Sequence, residues 1–172
     1  MSDIKNFLDM MLVVQQQCHE KNGNCKDWEY FCVEDFVSKE GQSFSPPTGD
    51  LPADVPVGVI KECFKNCIDA IILRGSNNPD YFYCEGYATG IIPMLHAWLV
   101  TADGEVIDPT WPEPGTEYFG VAFKPDFVRR QILNQGHYGL LDAWTSEWPL
   151  LRGIEPEEWR LDLEFSNGLP QK

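Results

Sequence analysis

The chain has 172 residues, 43% hydrophobic and 13% aromatic, enough for one domain with a sizeable core. Its 27 acidic residues outnumber 13 Lys and Arg, for a net charge of −14. That balance argues against nucleic acid as a partner, since a phosphate-binding surface needs clustered Lys and Arg. The charge is spread along the chain, as a solubilising surface requires, rather than blocked as in an acidic mimic of nucleic acid. No apolar run reaches membrane-spanning length, so no membrane partner is expected. Met1-Ser2-Asp3-Ile4-Lys5 opens an amphipathic pattern instead of an export signal, which points to the cytoplasm. The six cysteines (Cys18, Cys25, Cys32, Cys63, Cys67 and Cys84) are therefore expected as reduced thiols.

Residues Asp3 to Glu20 carry a helical apolar stripe, Ile4, Phe7, Leu8, Met11, Leu12 and Val14, with Ser2 placed as N-cap. Lys21 to Asn24 ends it. A second helix, Lys26 to Lys39, presents Trp28, Phe31, Cys32, Phe36 and Val37 and closes at Gly41. Four prolines with Gly49 and Asp50 make Gln42 to Val57 an ordered loop with little regular structure, expected to wall a cleft. These 57 residues form an N-terminal layer ahead of a core at 58–124. The single domain ends with C-terminal helices and a tail at 125–172.

Lys61 to Cys67 opens a third helix, running on through Ile68, Ile71, Ile72 and Leu73. Three β runs follow, Tyr83–Ala88, Leu95–Val100 and Glu105–Trp111, rich in aromatic and β-branched residues and bounded by turn formers. Asp103-Gly104 marks a hairpin between the last two. A two-residue turn would set Asp108 opposite Leu99 and send His96 and Asp108 to opposite faces. A three-residue loop, Ala102 to Gly104 with Gly104 left-handed, sets Trp98 opposite Asp108 and makes His96 and Asp108 diagonal neighbours on one face. The second register is preferred, because Gly stands where it needs a positive φ. Pro112 to Gly115 is a turn and Glu117 to Phe123 another strand. A helix then runs from Pro125 through Val128, Ile132 and Leu133 to a stop at Gly136. A short helix is expected from Gly139 to Trp148; the tail after Pro149 has scattered Trp159 and Phe165 and a frayed Ser-Asn-Gly-Leu-Pro end.

A His beside an Asp is an oriented general base. A cysteine near a helix N-terminus meets the positive end of the helix dipole, which favours thiolate, and Cys63 is such a cysteine. Cys84, inside a strand, lacks that dipole, and Cys67, one turn after Cys63, suits a core role. Two rival sets offer metal ligands: Cys18, His19, Cys25 and Cys32, or Cys63, Cys67, Cys84 and His96. Neither has paired Cys-x-x-Cys spacing, so no metal is expected. No cofactor motif is present: there is no P-loop, dinucleotide glycine run or Gly-x-Ser-x-Gly elbow.

The series Cys63-x-x-Asn66, Glu85-Gly-Tyr-Ala88, His96-Ala-Trp98, Asp108-Pro-Thr-Trp111 and Tyr118-Phe-Gly-Val121 resembles the transglutaminase-like branch of the papain-like cysteine enzymes. Its small bacterial and bacteriophage members are the nearest in pattern, over Cys63 to Phe123. The resemblance implies an α+β, papain-like fold, an antiparallel sheet with the nucleophile helix packed on it beside N-terminal helices. It implies acyl transfer through a Cys63–His96–Asp108 triad and a thioester, with Asn66, Glu85 and Trp98 as accessory residues and no cofactor. The substrate would be a protein or peptide, or a small amide, in the host cytoplasm if the chain is phage-encoded. Glu85 fits either a cleft-facing partner or a solvated flank. The competing class is a non-catalytic binding protein of the same fold, such as a phage-encoded inhibitor of a host protein.

Overall fold

Five antiparallel strands form one sheet in the computed structural model, which describes residues 2–22, 27–73 and 80–163. They are β1 (Gln42–Phe44), β2 (Phe82–Thr89), β3 (Pro93–Val100), β4 (Val106–Ile107) and β5 (Glu117–Ala122), ordered β1-β5-β2-β3-β4. Alternation splits their side chains into two cores. Tyr83, Tyr87, Ala97, Leu99, Phe119 and Val121 face outward, under α1 (Asp3–Asn22), α2 (Val33–Glu40) and α3 (Cys63–Leu73). Cys84, Ala88, Trp98, Val100, Tyr118 and Ala122 face the other way and enclose a second core with Phe44 and Val106. Because both faces are covered, the central strands read as nearly continuous buried runs.

The sheet curls until its edges meet. Ser45 donates its N–H to the Gly104 carbonyl at 3.2 Å, and Val106 donates to the Ser45 carbonyl at 3.0 Å, joining the β1 and β4 sides. The curl needs close backbone approach between β2 and β5, where Gly86 pairs with Gly120. A Cβ on Gly120 would lie 2.3 Å from the Glu85 carbonyl oxygen and 2.8 Å from the Trp98 indole. Glycine at this pair leaves the space that Trp98 fills. On the outer face α3 buries Cys63, Cys67, Ile68 and Ala70 against the sheet.

α1 follows the expected stripe at Ile4 and Leu8, both buried, whereas Val14 is exposed because the sheet contacts end before it. Ser2 Oγ accepts the Lys5 N–H at 3.4 Å, and the Glu117 carboxylate from β5 accepts the Ile4 N–H at 3.2 Å. α2 begins only at Val33: Cys32 is its N-cap, accepting the Asp35 N–H at 3.4 Å. Gly41 ends α2 in extended backbone rather than a left-handed turn, and a Cβ there would lie 2.4 Å from the Val37 carbonyl oxygen. The proline-rich loop gains the short strand β1, and β4 is shorter than expected because the chain turns at Asp108.

One C-terminal expectation fails. The segment expected as a helix over Gly139–Trp148 is irregular apart from a single 3-10 turn at Trp144–Ser146. Glu147 and Trp148 there hold positive φ, 61° and 50°. The tail after Pro149 packs on the core as far as Leu163. After α4 (Pro125–Gln135), the short helix α5 (Pro156–Trp159) buries Trp159 completely between Phe36 and Phe123. Leu161 then donates to the Ala122 carbonyl at 3.0 Å. The Ser-Asn-Gly-Leu-Pro end lies outside the described residues. Among the described residues, no helix is long and apolar enough to cross a membrane.

Candidate active site

α3 starts at Cys63 itself, which places the thiol on the first helical residue. The chain enters through a turn closed by Glu62 N–H donating to the Val59 carbonyl at 3.1 Å, with Lys61 at φ 72°. A lysine held left-handed is strained, and the surroundings must over-determine it. Asn66 supplies that constraint. Its Oδ1 accepts the Val59 N–H at 3.0 Å, while Nδ2 donates to the Val59 carbonyl at 2.8 Å and to Thr110 Oγ1 at 2.9 Å. Gly58 N–H donates to the Pro109 carbonyl at 2.7 Å, and only glycine fits there, since a Cβ would lie 2.2 Å from Asn66 Cγ. Asn66 thus ties the approach to Cys63 to the turn after Asp108.

The β3–β4 hairpin has the three-residue loop. Leu99 pairs with Ile107 and Val100 with Val106, a register that sets Trp98 opposite Asp108, and Gly104 sits at φ 82°. His96 Nε2 lies 2.8 Å from Asp108 Oδ2. Both residues are nearly sealed, at 2% and 7% exposed, and Cys63 is at 8%. Asp108 is held at every oxygen. Oδ1 accepts the N–H groups of Thr110 at 2.9 Å and Trp111 at 3.1 Å, and Oδ2 also accepts the Tyr118 hydroxyl at 2.9 Å. Trp111 lies flat on the imidazole, with ring centroids 4.1 Å apart and planes 21° apart.

Burial alone would push the His96 pKa down. Its hydrogen bonds to Asp108 and to the Cys63 thiol outweigh burial and hold it up at about 9. Burial would also raise Asp108, but the bond to His96, the imidazolium charge and the Thr110 and Trp111 N–H groups keep it below the usual carboxylate range. At neutral pH the pair is imidazolium and carboxylate. With Nε2 on Asp108, Nδ1 is the ring nitrogen that remains for Cys63. The arrangement can hold a proton lost by a thiol and deliver it to a leaving group.

The other accessory residues are placed differently from one another. Glu85 is fully buried and faces neither cleft nor solvent, contrary to both readings of it. Its Oε1 accepts the Tyr83 hydroxyl and the Leu140 N–H, each at 2.6 Å, and Oε2 accepts the Leu141 N–H at 2.9 Å. It pins the segment after α4 to the outer face by accepting two of its N–H groups. Burial pushes its carboxyl up to about 7 against the pull of these bonds. Trp98 is an inner-core residue, with ring centroids 5.6 Å from Phe44, 5.3 Å from Tyr118 and 6.4 Å from His96.

Three residues of the site were not singled out from sequence: Thr110, Trp111 and Tyr118. Their signal lay in the Asp-Pro-Thr-Trp run and in the strand parity that puts Tyr118 on the His96 face. Cys67 and Cys84 are fully buried, and burial pushes both thiols well up. Cys32 is half-buried rather than sealed, and burial pushes it up to about 12. Cys25 and the side chain of His19 lie outside the described residues. Among the described residues no group of three or more His, Cys, Asp or Glu is placed to hold a metal ion. In comparisons with known proteins, no family model, no curated protein and no solved structure matches the chain.

Proposed function

We propose that this chain is a cysteine-dependent acyl-transfer enzyme of papain-like, transglutaminase-like architecture, acting on an amide or ester carbonyl of a protein, a peptide or a small molecule. The observation that carries the reading is the buried imidazole 2.8 Å from Asp108, its pKa held up by Asp108 and by the Cys63 thiol. With the Cys63 proton already carried on His96, Sγ bonds to the substrate carbonyl carbon as the C=O electrons move onto oxygen. The Cys63 backbone N–H, at the first helical position with no intrahelical acceptor, stabilises that oxyanion. As the oxyanion collapses, the C–N or C–O bond breaks and His96 protonates the leaving group, leaving a thioester. Water or an amine, deprotonated by His96, then attacks the thioester and releases Cys63. Asp108 fixes the ring and stabilises the imidazolium throughout.

The test is p-nitrophenyl acetate mixed with enzyme in a rapid-mixing instrument. A burst of about one equivalent of nitrophenolate, with an acetyl thioester mapped to Cys63 by mass spectrometry, is expected from a two-step covalent route. Cys63→Ala should abolish the burst. An acetyl group on another residue, or a burst that survives Cys63→Ala, contradicts the reading and favours a fold kept for binding.

A further inference from the structure

A groove of about 450 Å³ borders Asp108 and Trp111, walled on one side by the Pro47–Pro52 loop and floored by Val106 and Ile107. Among the described residues its charged lining is Asp50, Glu105 and Asp108, with no Lys, Arg or His. The Asp108 charge is taken up by His96, so Asp50 and Glu105 remain. Glu105 Oε1 accepts the Thr48 hydroxyl at 2.6 Å and the Thr48 N–H at 3.2 Å, which fixes the carboxylate in place. Those bonds hold the Glu105 carboxyl below the ordinary range, so it carries its charge at neutral pH. Among the described residues neither Asp50 nor Glu105 has a cation at ion-pair distance. Prolines, Leu51 and the rings of Tyr81 and Trp111 form much of the remaining wall, beside Thr48 and Thr101.

We infer that this groove is the subsite for a lysine or arginine side chain of a peptide substrate, an inference that rests on the acyl-transfer reading of Cys63. The chemistry matches the cation at each part of its length. Proline and aromatic walls accept a methylene stem, aromatic faces attract a cation, and two uncompensated carboxylates receive its head. A metal ion is the poorer fit, because one Glu105 oxygen is committed to Thr48 and no cluster of three ligands forms. The net charge of −14 draws cationic peptides toward the whole surface, and the groove gives that attraction a place to act.

The experiment titrates acetylated, amidated tripeptides of lysine, norleucine and glutamate into ¹⁵N-labelled Cys63→Ala protein. Saturable shifts at Gly49, Asp50, Leu51 and the Trp111 indole are expected with trilysine alone. Asp50→Asn with Glu105→Gln, which keeps an acceptor for Thr48, should weaken that binding at least tenfold while the rest of the spectrum stays folded. Equal shifts with trinorleucine, no saturation at the groove, or undiminished binding by the folded double variant overturns the inference. The two readings fail separately. Trilysine in the groove with no thioester on Cys63 leaves a cation site and removes the enzyme. A Cys63 thioester without trilysine binding removes the groove alone.

Discussion

At the residue scale, the imidazole is set by what touches it. Asp108 raises His96, and Asp108→Asn removes the negative partner while keeping the acceptor atoms for Thr110 and Trp111. The His96 pKa should then drop from about 9, and acyl transfer should fall by roughly 10²–10⁴-fold, the usual worth of a positioned acid–base group. Trp111 adds a flat ring against the same imidazolium. A desolvated cation–π contact is worth about 2 kcal/mol, so Trp111→Ala should lower the His96 pKa by about one and a half units and shift the alkaline limb of activity with it. An NMR titration of the imidazole checks both. If Trp111→Ala leaves that titration in place, the ring only shields the site.

At the element scale, the hairpin loop decides whether a triad can exist. Gly104 holds φ 82°, so Gly104→Val should cost roughly 1–2 kcal/mol in denaturant unfolding and disturb the His96–Asp108 register. A wild-type midpoint would show that the loop tolerates a side chain there. This register was legible in the sequence because a one-residue slip reverses every side chain, and one candidate loop alone put His96 beside Asp108. That α3 opens close to Cys63 was legible for a similar local reason, although Lys61, expected inside it, stands left-handed before it. The tail and the segment after α4 were not. Leu140 and Leu141 are held by Glu85, 55 and 56 residues away, and Trp159 is buried by Phe36 and Phe123. Such long-range partners leave no periodic mark in the segment they order. Glu85 misled for the same cause, since its donors come from another element.

For the whole molecule, Glu85 makes stability depend on pH. Its folded pKa of about 7 stands above the ordinary 4.5, so the folded chain binds that proton more tightly. The stability it contributes is complete below about pH 4.5 and is lost as pH rises through about 7. At 1.36 kcal/mol per unit the loss is roughly 3 kcal/mol. His96 acts in the same direction, its contribution fading as pH rises through about 9. Asp108 acts oppositely, its contribution lost as pH falls through its depressed value. Urea unfolding at pH 5 and pH 8 should show wild type losing roughly 2.5 kcal/mol more than Glu85→Gln across that window. Parallel losses would place the carboxylate's charge elsewhere. The central claim, that Cys63 is a nucleophile activated by His96, is tested most directly by site-resolved alkylation with iodoacetamide at pH 6. An ordinary thiol is almost entirely protonated there, and thiolate is the reactive form. Cys63 should be labelled first and to about one equivalent, ahead of the exposed Cys18, and His96→Ala should slow it at least tenfold. Cys18 or Cys84 labelled ahead of Cys63, or a Cys63 rate unchanged by His96→Ala, would contradict it.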